Sequence, residues 1–149
     1  MLKIFLASLV LSASLVAGEI SVAVAANLSD VIEVFKTEFA KTNPQTKVNT
    51  VLGASGKFTT QIKAGAPFDI FLSADMKFPE SLFEEQLAVS KPVVYASGAL
   101  AMMSVRGFDL SKGIGIIADA KVEKIALANP KTAPYGTAAI EAFKNAGVY

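Results

Sequence analysis

The sequence predicts an α/β fold: a lobe built on a parallel sheet with helices on both faces, followed by the start of a second α/β lobe. Two observations predict it. Short apolar runs of strand length alternate with segments whose apolar residues recur at helical spacing. The resulting order over the first half of the chain is βαβαβα, and only a parallel sheet covered by its own crossover helices accommodates that order simply.

The first strand covers Glu19–Ala25, which alternates loosely and then becomes continuously apolar, as a buried parallel strand does. A helix follows, because Leu28, Val31, Ile32, Phe35 and Phe39 fall on one helical face and Asn43-Pro44 stops the run. Lys47–Leu52 is the second strand, and Lys57–Ala64 a short helix closed by Gly65-Ala66-Pro67. Asp69–Ser73 is the third strand, followed by a helix over Pro79–Glu85.

Beyond this the pattern loosens. Val93–Ser104 is apolar but broken by Ser97-Gly98, which suits an extended segment crossing between lobes. Lys124–Ala128 is expected as a further strand and Gly136–Asn145 as a further helix. The division is therefore 19–93 for the first lobe and 94–149 for the crossover and the first part of the second. A second lobe with only one strand and one helix would leave much of its apolar face uncovered, so these residues are expected to be a fragment.

Ahead of the first strand, Lys3 precedes the apolar run Ile4–Val16 and the small residues Ala17-Gly18. That order is a secretory signal, expected over 1–18, and the run is too short for the roughly 20 residues a membrane-spanning helix requires. No cysteine is present, so neither a lipid-modified cysteine nor a disulfide is available. The absence of histidine removes the commonest general base and the commonest transition-metal ligand. Net charge is +1 with the signs interleaved, which gives no footprint for nucleic acid or an anionic membrane.

The informative residues lie in three turns that lead from a strand into a helix: Ala25–Asp30, Gly53–Lys57 and Asn129–Gly136. In an open parallel sheet such turns gather at the carboxyl ends of the strands, where ligands bind. Each following helix starts with unpaired N–H groups and a partial positive charge, so several starts aimed at one point bind an anion without Lys or Arg. Asn27 offers a cap with a donor as well as an acceptor, and Ser55 lies between Ala54 and Gly56, where backbone can approach a ligand closely. Taken singly, each turn is equally an ordinary cap or loop. Repetition at one topological place is what points to a site.

Other chemistries fit less well. Gly53-Ala-Ser-Gly56 has a serine-nucleophile look, but Lys57 stands where G-x-S-x-G needs glycine, and no histidine can act as base for a hydrolase using Ser55. A phosphate loop fails because Val51 and Phe58 occupy positions that require Gly and Ser or Thr. Asp69 and Asp75 read as caps and loop anchors rather than a carboxylate pair, and Phe58, Phe68, Phe71, Phe78 and Phe83 as core.

At these same residues the chain resembles the periplasmic molybdate-binding proteins of ABC transporters, which are two-lobed periplasmic binding proteins. The resemblance runs from Glu19 to Tyr149. It is carried by Val22–Leu28, by Gly53-Ala-Ser-Gly56, by the long stretch Gln61–Asp75 and by Ala128–Gly136. It implies an oxyanion held by neutral donors: Ser55 matches a family serine, Asn27 stands where the family has its other serine, and Tyr135 supplies a backbone N–H after Pro134. Asn27 is a departure, though an amide donates to an oxyanion as a hydroxyl does.

Through those oxygens, and not by direct ligation, Asn27, Ser55 and Tyr135 are the expected contacts to molybdenum or tungsten. The resemblance further implies molybdate or tungstate as ligand, no resident cofactor, a membrane permease as partner, a monomer, a periplasmic location and no catalysis. Sulfate is the main rival ligand. Phosphate keeps a proton near neutral pH and needs an acceptor, whereas molybdate and tungstate suit a lining of donors alone. Family members also use a later Val and Tyr, so these 149 residues alone are expected to bind weakly or not at all and to be poorly soluble.

Overall fold

The computed structural model describes residues 18–149, so the expected signal over 1–18 lies outside the described residues apart from Gly18. Three strands, β1 (Gly18–Ala25), β2 (Thr46–Gly53) and β3 (Ile70–Leu72), form one parallel sheet in the order β2-β1-β3. The chain steps from β1 to β2 on one side, then crosses back over β1 to β3. With right-handed crossovers, that reversal places the two connecting helices on opposite faces of the sheet.

The side chains agree. On one face Val22 and Val24 of β1 pack with Leu28 and with Ile32 of helix α1 (Ile32–Thr42), flanked by Ile20, Val48 and Leu72. On the other, Phe58 of α2 (Ser55–Lys63) is almost fully buried and meets the rings of Phe68 and Phe71 edge-on at 5.5 and 6.3 Å. Ala23 and Ala25, both fully buried, keep β1 thin at the centre of the sheet. Helix α3 (Lys77–Glu84) lies against α2, where Leu82 is buried and Lys63 pairs with Glu85. Pro79 is tolerated in α3 because it sits in the first turn, whose N–H groups have no helical acceptor.

Several expectations change. Phe83 is 39% exposed and Leu82 takes its place in the core, since adjacent helical residues point about 100° apart. Phe35 and Phe39 lie in a shallow apolar groove over α1 and the sheet rather than in the core, and both remain partly exposed. The segment 91–104, expected to cross between lobes, is irregular backbone that joins no strand among the described residues.

The strand expected at Lys124–Ala128 is absent: the segment lies in irregular backbone, with Ile125 and Leu127 at least 40% exposed. A strand exists only through a hydrogen-bonded neighbour, and among the described residues every strand belongs to the one sheet, which this segment does not join. The later region therefore holds 3-10 turns over Leu110–Ala118 and helix α4 (Pro134–Asn145), without a second sheet of its own among the described residues.

Candidate oxyanion site

Strand register decides where the turns lie. Ala25 stands opposite Gly53, and Val24 opposite Leu72, so the three strands end at one level of the sheet. Asn27, Ser55 and Asp75 follow at matching offsets, which puts the β1, β2 and β3 exits at the same rim. The third of these exits, Ser73-Ala74-Asp75, was not singled out by its sequence, because its contribution comes from backbone groups.

Ser55 is the first residue of α2 and only 1% exposed. It does not cap its own helix; Ala54 occupies the cap position without a side-chain bond. The Ser55 hydroxyl oxygen instead accepts a hydrogen bond from the Ala74 N–H at 3.0 Å. A hydroxyl that accepts in this way still has its proton to donate. Burial and fixed orientation suit it to a desolvated ligand.

Gly56 has a different role from the one its sequence suggests. Its N–H donates to the Thr132 carbonyl at 2.9 Å, so the close approach it permits is to the chain's own third turn. A Cβ on Gly56 would stand 3.1 Å from that carbonyl oxygen and 2.9 Å from the Phe78 ring. The second and third turns are thereby clamped together.

The third turn is folded tightly onto α4. The Asn129 side chain accepts from the Lys131 N–H at 2.9 Å, the Asn129 carbonyl accepts from Ala133 at 2.8 Å, and the Thr137 hydroxyl donates to the Pro130 carbonyl at 2.8 Å. Buried Gly136 is required here, since a Cβ would be driven into the Ala128 carbonyl. Pro134 opens α4 and Tyr135 follows at its second position, where an N–H has no acceptor within the helix. The Tyr135 hydroxyl lies against Gly98 of the crossing segment, so closely that a side chain at Gly98 would overlap it.

Asn27 does not cap α1. It sits within a short 3-10 turn, Ala26–Leu28, and the cap position of α1 is Val31, with Ser29 and Asp30 intervening. It is exposed, and its amide makes no cap bond. Asn27 and Tyr135 line the same open cleft of about 670 Å³, together with Ser73, Ala74, Asp75 and Tyr95. Ser55 does not line that cleft itself but is hydrogen-bonded to Ala74, which does.

The remaining polar groups of the rim are structural. Asp75 accepts from the Ser73 hydroxyl at 3.1 Å and the Phe78 N–H at 3.4 Å, and at the opposite end of β3, away from the rim, the Asp69 carboxylate accepts from the Ser21 N–H at 2.7 Å, so both are loop anchors. Tyr95, from the crossing segment, donates its hydroxyl to the Ser73 carbonyl at 2.9 Å. Burial, and the neighbouring Tyr135, hold its phenol above the usual tyrosine range. Among the described residues no cluster of acidic side chains is arranged to hold a metal ion.

Comparison with known proteins identifies the family. The chain is 40% identical over 134 residues to the molybdate-binding protein ModA of Rhodobacter capsulatus, covering 89% of this chain and 52% of that protein. It is 36% identical over 133 residues to the molybdate-binding protein ModA of Azotobacter vinelandii, with the same coverage. The solved structure of the Azotobacter vinelandii periplasmic molybdate-binding protein superposes with a TM-score of 0.65 at 26% identity, over 87% of this chain and 56% of that one. The chain thus spans about half the length of the curated relatives it matches. Over residues 20–149 the sequence matches one family throughout, and the chain belongs to it: the bacterial extracellular solute-binding proteins.

Proposed function

We propose that this chain forms three walls of a receptor site for molybdate or tungstate, in a periplasmic protein that delivers the oxyanion to an ABC importer in the membrane. The observation that carries the reading is the Gly56 to Thr132 hydrogen bond of 2.9 Å, which brings the second and third turns to one rim. The donors are neutral: the Ser55 hydroxyl, the Asn27 amide and the Tyr135 N–H. Relatives whose names state molybdate binding support the choice of ligand.

The energetics are sufficient. Hydrogen bonds to a charged group contribute roughly 1.5–3 kcal/mol each, and a partly buried helix N-terminus up to about 2. A few such contacts together approach the roughly −8 kcal/mol of a micromolar complex once the cost of fixing the ligand is deducted. The three proposed contacts are donors only, which favours a fully deprotonated dianion over phosphate, whose proton needs an acceptor. Ser55, with its oxygen engaged by an amide and no histidine in the chain, is a donor here and not a nucleophile.

The test is titration of the chain with molybdate, tungstate, sulfate and phosphate, by calorimetry and, for weak complexes, by amide shifts. Molybdate and tungstate should bind most tightly. Sulfate binding more tightly than molybdate overturns the assignment.

A further inference from the structure

Ser73 and Ala74 share one peptide group, and both ends of it are held. At one end the carbonyl of Ser73 accepts from the Tyr95 hydroxyl at 2.9 Å. At the other the N–H of Ala74 donates to the Ser55 hydroxyl oxygen at 3.0 Å. The three groups form a continuous chain of hydrogen bonds from the crossing segment, through the β3 exit, to the first residue of α2.

Such a chain has two physical consequences. Polarising a carbonyl by a donor makes the N–H of the same peptide a better donor, so each bond strengthens the next. Occupying one lone pair of Ser55 also restricts its hydroxyl rotation, and among the described residues that hydroxyl donates to no protein acceptor. Its proton is then the free end of the relay, held for an incoming oxygen. Rotation of the Ser73–Ala74 peptide would release Ser55 to turn its proton elsewhere.

We propose that Tyr95 is a positioning residue for the oxyanion site: it fixes the Ser73–Ala74 peptide and through it orients the Ser55 hydroxyl as a donor. The inference rests on the receptor reading for its consequence in binding, but the relay itself does not. Tyr95 belongs to the crossing segment rather than to the sheet, so the link also makes Ser55 sensitive to how that segment lies. The residue is 48% exposed, and Phe keeps the ring, so Tyr95→Phe removes the bond without disturbing a core.

Two readouts on the full chain test this. In the ligand-free protein, the Ala74 amide proton should move upfield in Tyr95→Phe and in Ser55→Ala, while amides remote from the β3 exit keep their positions. An unmoved Ala74 amide in Tyr95→Phe overturns the relay, whatever the ligand. With molybdate as the probe, Tyr95→Phe should weaken binding roughly three- to tenfold, and the double variant Tyr95→Phe/Ser55→Ala should bind as Ser55→Ala alone does. A Tyr95→Phe loss that adds in full to that of Ser55→Ala marks a separate structural role and overturns the proposal. If the wild-type chain binds none of the oxyanions, the receptor reading falls for these 149 residues, and the amide shift still decides whether the relay exists.

Discussion

Gly56 of α2 donates its N–H to the carbonyl of Thr132, joining the start of one helix to the turn that precedes another. The bond consumes a donor that a helix N-terminus would otherwise offer to an anion. In exchange it fixes the second turn against the third. The site therefore depends on backbone packing as much as on the side chains that face the ligand.

Substitution at this position should be felt twice. A Cβ on Gly56 crowds the Thr132 carbonyl and the Phe78 ring, a strain of about 1–3 kcal/mol, while leaving glycine in a helix gains back only about 0.5–1. Gly56→Ala should thus lower stability by about 1 kcal/mol and weaken molybdate binding severalfold. Urea unfolding and titration of the same variant check both; an unchanged affinity would show that the clamp does not shape the site.

Helix α3 ends in a strained residue that offers a gain. Gln86 has φ 60°, with its N–H on the Phe83 carbonyl at 3.0 Å and the Leu87 N–H on the Leu82 carbonyl at 2.9 Å, the bonding of a Schellman cap. A left-handed conformation costs a side-chain-bearing residue about 1–2 kcal/mol, and glycine loses about 0.5–1 through the entropy of the unfolded chain. Gln86→Gly should raise stability by about 0.5–1 kcal/mol, read as a higher urea midpoint at unchanged slope. A lower midpoint contradicts the assignment.

The packing of α2 on α3 carries a pH signature. The Lys63 ammonium holds the Glu85 carboxyl below its ordinary value of 4.5; partial burial opposes this, and Ser81 adds to it. A carboxylate whose pKa is lowered by folding contributes stability above its unfolded value, and loses it as pH falls through the folded one. Glu85→Gln should therefore lower the Tm slightly at neutral pH, with the deficit shrinking as the pH falls through the carboxylate range. Thermal melts across that range decide, and an equal loss throughout would assign the effect to packing instead of charge.

How much of this was legible in the sequence depends on whether the signal is local. Val22 and Val24, Phe58 and the helical run from Leu28 announced their elements because periodicity and apolar character are properties of neighbouring residues. Lys124–Ala128 looked the same as a strand but has none to pair with, and partner availability is not written in five residues. Gly56 was read as a place where backbone approaches a ligand, and the approaching group proved to be Thr132.

The site divides along the same line. Residue type and turn position single out Ser55, which heads its helix rather than capping it, whereas Tyr135 is singled out by the family resemblance. Asn27 was read as a cap and instead occupies an exposed 3-10 turn, because Ser29-Asp30-Val31 delay the helix. Ala74 carried no signal at all: its contribution is an amide proton, which every residue but proline possesses. Tyr95 is recognisable only once the crossing segment is laid against the β3 exit.

The central claim is that Ser55 donates to an oxyanion, and comparison of wild type with Ser55→Ala tests it most directly. Circular dichroism should show the fold retained, with some loss of stability because the Ala74 N–H is left without its acceptor. Titrated with molybdate under identical conditions, the variant should bind at least about tenfold more weakly, or roughly 1.4 kcal/mol. A folded Ser55→Ala chain that binds molybdate as tightly as wild type would contradict the account.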